Sequence, residues 1–301
     1  MSMWLRPAVM ATALLVSFVG PPARAQLPGT IRIGVLNDMS GPYADVSGKG
    51  SVTAAQMAAE DFAKEAGPGV PKVEILPGDH QNKADIGANL ARSWVDRDDV
   101  MAVVDVPNSA VALAVNQVMR EKDRAFLASS SATSDLTGPQ CAPTTVQWTF
   151  DTWALANGTA RAVSQQGGHR WFFIGSDYAL GASLVRDASA VVKAEGGTVV
   201  GDVRAPLGVT DLSSYLLQAQ SSGADVIATA NGGDDVVNTL KQAREFGIGR
   251  DGKQRLAGLL VFLTDVKGMR LETAQGLLLT EAFYWDLSLT LAIRRHCRAH
   301  R

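Results

Sequence analysis

The side chains that could do chemistry sit in a few short loops. The first, "LNDMSGPYADVSGKGS" at residues 36–51, follows the apolar run "IRIGV" and ends in Gly-Lys-Gly-Ser. A phosphate-binding P-loop needs Gly, four residues, then Gly-Lys and a Ser or Thr, so that backbone amides wrap the phosphates while the hydroxyl holds magnesium. Here six residues separate Gly41 from Gly48, and Lys49 is followed by Gly50, so the spacing fails. The dinucleotide pattern fails as well, since Gly48 and Gly50 are followed by Val52 and Thr53 without a third glycine. What survives is a Pro42 turn, the aromatic Tyr43 and a helix start, placed outside the carboxyl end of a strand, where open α/β sheets bind ligands.

Two further loops follow apolar runs. In "DVPNSAVA", Asn108 and Ser109 stand at a helix start, where free N–H groups and the positive end of the dipole favour an anion. "ASSSATSDLTG" supplies Ser129, Ser130, Ser131, Ala132 and Thr133 in one stretch. Together these loops make a hydroxyl- and amide-lined surface suited to a ligand carboxylate. The same residues serve equally well as helix caps and turn formers. Later, Tyr178 in "GSDYALG" and Asn231 in "ANGGDD" also follow apolar runs, and Asp265 in "FLTDV" comes just after "LAGLLVF". Aromatic rings clamp apolar ligand bodies, and a carboxylate pairs with an ammonium group. Asp234 and Asp235 read more simply as acids in the first turn of a helix, favoured by its dipole.

Catalysis is poorly provided for. There is no G-x-S-x-G elbow and no H-E-x-x-H. Of His80, His169, His296 and His300, only His80 follows a strand in a loop, where a lone histidine is ordinarily a solvated polar residue. The "HCRAH" cluster at residues 296–300 has residues of ligand type, but a structural metal site wants four closed ligands. The sequence points to no enzyme, no cofactor and no metal.

The elements that must position these loops alternate regularly. "IRIGVL", "KVEIL", "VMAVVDV" and "AFLAS" are β-branched or apolar runs separated by helical patterns, from about Gly50 to Lys64, through "ADIGANLARSWVDR" and through "SAVALAVNQVMREK". Near-continuously apolar strands between helices of that length imply a parallel sheet covered on both faces. The pattern restarts at "TVQWTF" and runs through "RWFFIG", "GTVVGDV", "ADVIATA" and "LAGLLVF", with helices between them. The expected fold class is α/β, in two doubly wound lobes, residues 26–143 and 144–280, with 281–301 as a hinge segment and tail.

The chain has 301 residues, 46% of them hydrophobic and 19% charged, a balance that argues against disorder. "MSMWLRP", the apolar "AVMATALLVSFVG" and "PPARA" have the form of a secretory signal, with Ala23-Arg24-Ala25 as a small-x-small cleavage pattern before Gln26. The apolar run falls short of the roughly 20 residues a spanning helix needs. Removing residues 1–25 takes away Arg6 and Arg24 and moves the formal charge from −2 to −4. A mildly acidic exported chain has no electrostatic footprint for nucleic acid. Cys141 and Cys297 are the only cysteines, too few for a disulfide framework, although an exporting compartment would permit one bridge.

With those residues in view, the chain resembles the substrate-binding proteins of ABC transporters of the branched-chain amino acid, or leucine-binding, type. The likeness covers roughly residues 26–287 and rests on whole segments in order, among them "IRIGVLNDMSGPYAD", "QWTFDTWALANGTARAV", "DYALGASLVRDASAVVKAEGG" and "TAQGLLLTEAFYWDL". The resemblance implies a two-lobed type I periplasmic clamp, a monomer that captures a small solute by hinge closure and presents it to an ABC permease at the inner membrane. Carried over by position, the loop serines Ser109, Ser130 and Ser131 correspond to carboxylate-binding residues, with Asn108 and Ala132 of the same loops as further ligand-binding candidates. Tyr43 and Tyr178 correspond to ligand-lining aromatics, Asn231 lies in a lining loop, and Asp265 falls near the acid that amino-acid binders keep for the ammonium group. Amino acids, amides and aromatic acids are the solutes implied.

The ending departs from that pattern. "SLTLAIRRHCRAHR" is fourteen residues with four Arg, two His and no acid. The expectation is a frameshift or premature end that leaves the first lobe without its last elements. The alternatives to an importer component are an exported ligand-sensing clamp and a non-functional truncated product.

Overall fold

The computed structural model describes residues 29–282, apart from residue 251, together with residue 284. The expected signal segment and the basic tail lie outside the described residues.

Two five-stranded parallel sheets carry the fold. The first is built from β1 (Thr30–Asn37), β2 (Lys72–Asp79), β3 (Val100–Asp105), β4 (Ala125–Ala128) and β5 (Thr145–Gln147), in the order β2-β1-β3-β4-β5. The second is built from β6 (Arg170–Ser176), β7 (Thr198–Ala205), β8 (Val226–Ala230), β9 (Arg255–Gly258) and β10 (Leu278–Leu279), in the order β10-β9-β8-β6-β7. The connecting helices are α1 (Gly48–Ala66), α2 (Ala84–Arg97), α3 (Ser109–Glu121), α4 (Thr152–Gln165), α5 (Ala179–Ala194), α6 (Ser213–Ser221), α7 (Asp234–Glu245), α8 (Leu263–Gly268) and α9 (Leu271–Ala274). The strand expected from "TVQWTF" as the opening of the second series pairs instead with β4, so the first sheet runs past residue 143 and the chain leaves it after Gln147. A three-residue strand has too little pattern of its own to reveal which sheet it joins.

The central strand of the second sheet explains why its sequence is apolar without alternation. Trp171 and Phe173 of β6 point into one core with Leu155, Val163 and Leu184 of α4 and α5, whereas Phe172 and Ile174 point into another with Leu216 and Leu240 of α6 and α7. Both faces of the strand are thus covered, as a parallel sheet requires.

In the first sheet, α2 and α3 cover one face, with Trp94, Val111, Val115, Met119 and Phe126 in a single core. Gly34 of β1 and Gly78 of β2 form the floor under the Trp94 ring; a Cβ there would stand 2.4 and 2.6 Å from its atoms. On the other face α1 packs beside β1 and β2. Leu127 of β4 and its register partner Val146 of β5 lie on that same side and remain 42% and 47% exposed.

Candidate functional site

A cavity of about 540 Å³ lies between the two sheets, at the carboxyl ends of their strands. Its wall is drawn from the segments that follow β1, β3, β4 and β5 in the first half and β6, β8, β9 and β10 in the second. The first half provides Tyr43, Asp45, Pro107, Ser129, Ser130, Ala132, Thr149 and Phe150; the second provides Leu180, Gly233, Leu260, Phe262, Thr264 and Glu281. Phe150 and Phe262 meet across the boundary with ring centroids 5.0 Å apart, tilted by 50°. The wall is therefore mostly apolar, with hydroxyls at Tyr43, Ser129, Ser130 and Thr149 of the first half and Thr264 of the second, and carboxylates at Asp45 and Glu281. Such a surface suits a small solute with an apolar body and a few polar groups.

The loop after β1 is shaped by Asp38, which is buried and accepts the backbone N–H groups of Gly41 and Tyr43 at 2.8 and 3.0 Å. That Asx-type turn delivers Tyr43 to the second half. There its hydroxyl meets that of Tyr178, and the Pro42 carbonyl accepts the N–H of Asp234 at 3.1 Å. Burial pushes both phenols up, so the two hydroxyls stay protonated. Gly233 makes this approach possible: its φ is +62°, and a Cβ there would stand 2.4 Å from the Pro42 carbonyl oxygen.

A second seam lies beside the passage between the halves. Asp187 of α5 is buried and accepts hydrogen bonds from Thr152 Oγ1 at 2.6 Å and Ser134 Oγ at 2.8 Å. Arg186 pairs with Asp187 and with Asp135, both at 2.9 Å, and Thr133 meets Ser183 at 2.7 Å. The turn after β4 is thereby tied to α5 of the other half.

The residues named from sequence divide by what their side chains do. Tyr43, Ser130 and Ala132 stand on the cavity wall, and Tyr178 backs the wall through its contact with Tyr43. Asn108 is instead the cap of α3, accepting from Ala110 and Val111 N–H at 3.0 and 3.2 Å. Ser109 is fully buried in that first turn, off the wall. Ser131 is fully buried and donates to the carbonyl of Val106, bracing a bend where Asp105 and Val106 take φ values of +80° and +62°. Asn231 is buried and donates to Thr239 Oγ1 at 2.9 Å on α7. Asp265, expected to face an ammonium group, turns back to cap α8, accepting the Phe262 N–H at 2.8 Å. Burial raises its pKa, opposed by that hydrogen bond and reinforced by the charges of Glu281 and Asp234. Asp234 and Asp235 do occupy the first turn of α7, and Asp235 also accepts the Gly208 N–H at 3.1 Å. Phe150, Phe262 and Glu281 were missed; an aromatic directly after an apolar run was the available signal for the first two.

His80 is also not the solvated loop residue expected. It is fully buried behind the site, its Nδ1 accepting the Asn82 N–H at 3.0 Å, and burial pushes its pKa down to about 4 against the charges of Asp38, Asp79 and Asp105. In the unfolded chain the ring takes up a proton near pH 6.5. Its contribution to stability is therefore full above that pH and is lost as pH falls toward 4, about 3 kcal/mol in all. Urea midpoints at pH 7.5 and 4.5 should show this drop in the wild type and most of it missing in His80→Asn; equal drops in the two would refute the assignment.

Comparison with known proteins agrees with this architecture. The chain is 46% identical to a periplasmic binding protein of Burkholderia mallei of known structure, covering 90% of this chain and 71% of that one with a TM-score of 0.84. It is 37% identical to a branched-chain amino acid ABC transporter periplasmic ligand-binding protein of Burkholderia xenovorans, over 90% of this chain and 72% of that one, with a TM-score of 0.70. An R. palustris ABC transporter solute-binding protein solved with 4-hydroxybenzoate is 25% identical over 80% of this chain and 65% of its own, with a TM-score of 0.69. The family model described as periplasmic binding protein matches residues 30–298, most of the sequence, and the chain belongs to that family.

Proposed function

We propose that the protein is the solute-capturing component of an ABC importer, working as a monomer in the periplasm, reached behind a signal at residues 1–25, and delivering its solute to a permease at the inner membrane. The family is one of binding proteins rather than enzymes. The observation that carries the reading is the cavity whose wall comes from both halves, since a ligand touching both favours the state in which they are together. The solute is small and carboxylate-bearing: a branched-chain or other amino acid, an amide or an aromatic acid. The amino-acid transporter relative and the 4-hydroxybenzoate relative support that range. On the first half, the Ser130 hydroxyl, buried on the wall without a hydrogen-bond partner among the described residues, is the donor for the carboxylate in this reading, since Ser129 already donates to Asp105 at 3.0 Å, and Phe150 and Phe262 close on the apolar body.

Thermal unfolding of the purified protein against a panel of amino acids, amides and aromatic acids tests this. A ligand at 100 times its dissociation constant adds about 2.7 kcal/mol of stability. One chemical class should raise the transition well clear of the rest. A cooperative transition indifferent to the whole panel would defeat the proposal.

A further inference from the structure

Resting on that reading, we infer that His80, which stands off the cavity wall, is a positioning residue for solute capture: through Asn82 and Asp38 it holds the Tyr43 loop in place, and a proton on its ring loosens that loop and weakens binding in acid. The coupling runs through hydrogen bonds. His80 is fully buried, and its Nδ1 accepts the Asn82 N–H at 3.0 Å. That bond holds a tight turn in which Gln81 and Asn82 take φ values of +52° and +55°, a left-handed pair that persists where its surroundings fix it. Asp79 braces the same turn, accepting the Gln81 N–H at 2.9 Å. So placed, Asn82 donates from Nδ2 to Asp38 Oδ2 at 2.6 Å and accepts from Asn108 Nδ2 at 3.3 Å. The Asp38 oxygen it meets is the one that accepts the Tyr43 N–H. Tyr43 in turn stands on the wall and touches Tyr178 of the second half, while the Pro42 carbonyl beside it accepts from Asp234. Two side chains thus link the imidazole to the loop that lines the cavity.

An imidazole accepts at Nδ1 only while it is neutral; the protonated ring carries N–H on both nitrogens. A second proton therefore sets Nδ1–H against the Asn82 N–H and breaks the bond that holds the turn. The charged groups acting on the ring are Asp38 of the loop after β1, Asp79 at the end of β2 and Asp105 at the end of β3. All three favour the proton, yet burial outweighs them and the pKa falls to about 4. Lys83, at the start of α2, donates its backbone N–H to the His80 carbonyl at 2.9 Å. Within α2, Gly87 faces the ring's stem, since a Cβ there would stand 3.5 Å from that of His80, and α3 meets the turn with the uncharged Asn108. Once the turn opens, the ring returns toward its ordinary value of about 6.5. The intact turn binds fewer protons than the open one, so its advantage is full above that value and is lost as pH falls toward 4. A solute that binds the intact loop loses affinity over the same range, by at most about tenfold per pH unit for one proton.

Calorimetry with leucine, phenylalanine and benzoate, each of which keeps nearly all its charge between about pH 7.5 and 5, gives affinities at those two values for the wild type and for His80→Asn. Asparagine offers Oδ1 to the N–H two residues on, as in an Asx turn, and takes up no proton. Affinity for whichever of the three binds should fall about threefold to tenfold in the wild type between the two values, and much less in His80→Asn. Comparing the two ratios removes any change common to both pH values. It also removes the titration of Asp234, Asp235 and Asp265, whose pKa values burial raises. Equal ratios in the two proteins overturn the inference while leaving solute capture standing. The wild type alone gives a second reading: followed by NMR, the His80 ring should titrate lower with solute bound than without, by reciprocity. An unmoved titration overturns the inference even if His80→Asn fails to fold. Exchange of the Gly41 and Tyr43 amides, corrected for intrinsic rates, needs no solute and should quicken from pH 7.5 to 5. Unquickened exchange with binding intact counts against the inference alone, whereas a folded protein that binds none of the three solutes counts against the capture reading as well.

Discussion

Trp94→Ala should cost about 3–5 kcal/mol, the upper range for removing a buried aromatic. The ring is 5% exposed and lies on the bare backbone of β1 and β2 at Gly34 and Gly78, so no side chain can swing in to refill the space. The reverse substitution is diagnostic. Gly34→Ala places a methyl 2.4 Å from the ring, and overpacking of that kind costs about 1–3 kcal/mol. If the two changes are introduced together, the alanine methyl partly occupies the space the indole left, and the double variant should be more stable than the sum of the single costs. Urea unfolding followed by circular dichroism measures all three. Strict additivity would mean that the contact between Trp94 and Gly34 is not what the sheet depends on.

Gly233→Ala tests the proposed closure instead of folding. With φ at +62° the position strains any side chain, costing about 1–3 kcal/mol whether the halves are together or apart. On the proposed closure the contact with the Pro42 carbonyl is different, because it would exist only when they are together. Ligand affinity should therefore fall by about tenfold to a hundredfold beyond anything the stability loss explains, in line with the cost of a tight overpacked contact. Calorimetry with whichever solute stabilises the wild type gives the affinity, and small-angle scattering with saturating ligand gives the compaction. An unchanged affinity in a destabilised variant would show that the halves close without bringing Pro42 against α7.

These two cases also mark what the sequence could and could not reveal. The helix at residues 84–97 is legible from its apolar period, and Trp94 within it is an obvious core residue; the glycine floor beneath it is not, because nothing local says that residues 34 and 78 will be neighbours. Strand β6 was readable as a doubly covered strand from "RWFFIG" alone. The site was readable at the level of loops: those after β1, β3, β4, β6, β8 and β9 do converge. It was not readable at the level of side chains. Ser131, Asn108, Asn231 and Asp265 have the right chemistry in the right loops, yet each satisfies a neighbouring backbone or hydroxyl group, as short polar residues at helix starts and bends commonly do. Glu281 is the opposite case. Its segment has no motif, and its place on the wall is set by β10 joining the second sheet at its edge beside β9.

The strands of the first sheet are contiguous in sequence, running from residue 30 to 147, and those of the second run from 170 to 279. Parallel pairing closes long loops and is slow, so the order in which partners become available matters. As the chain emerges N-terminus first, every described strand of the first sheet is present before β6 appears. The first half can thus complete its pairing while the second is still being delivered, and contacts such as Tyr43 with Tyr178 and Asp187 with Ser134 form only afterwards. Refolding should accordingly show a fast phase sensed by Trp94 and Trp171 within each core, followed by a slower one as the two finished halves dock.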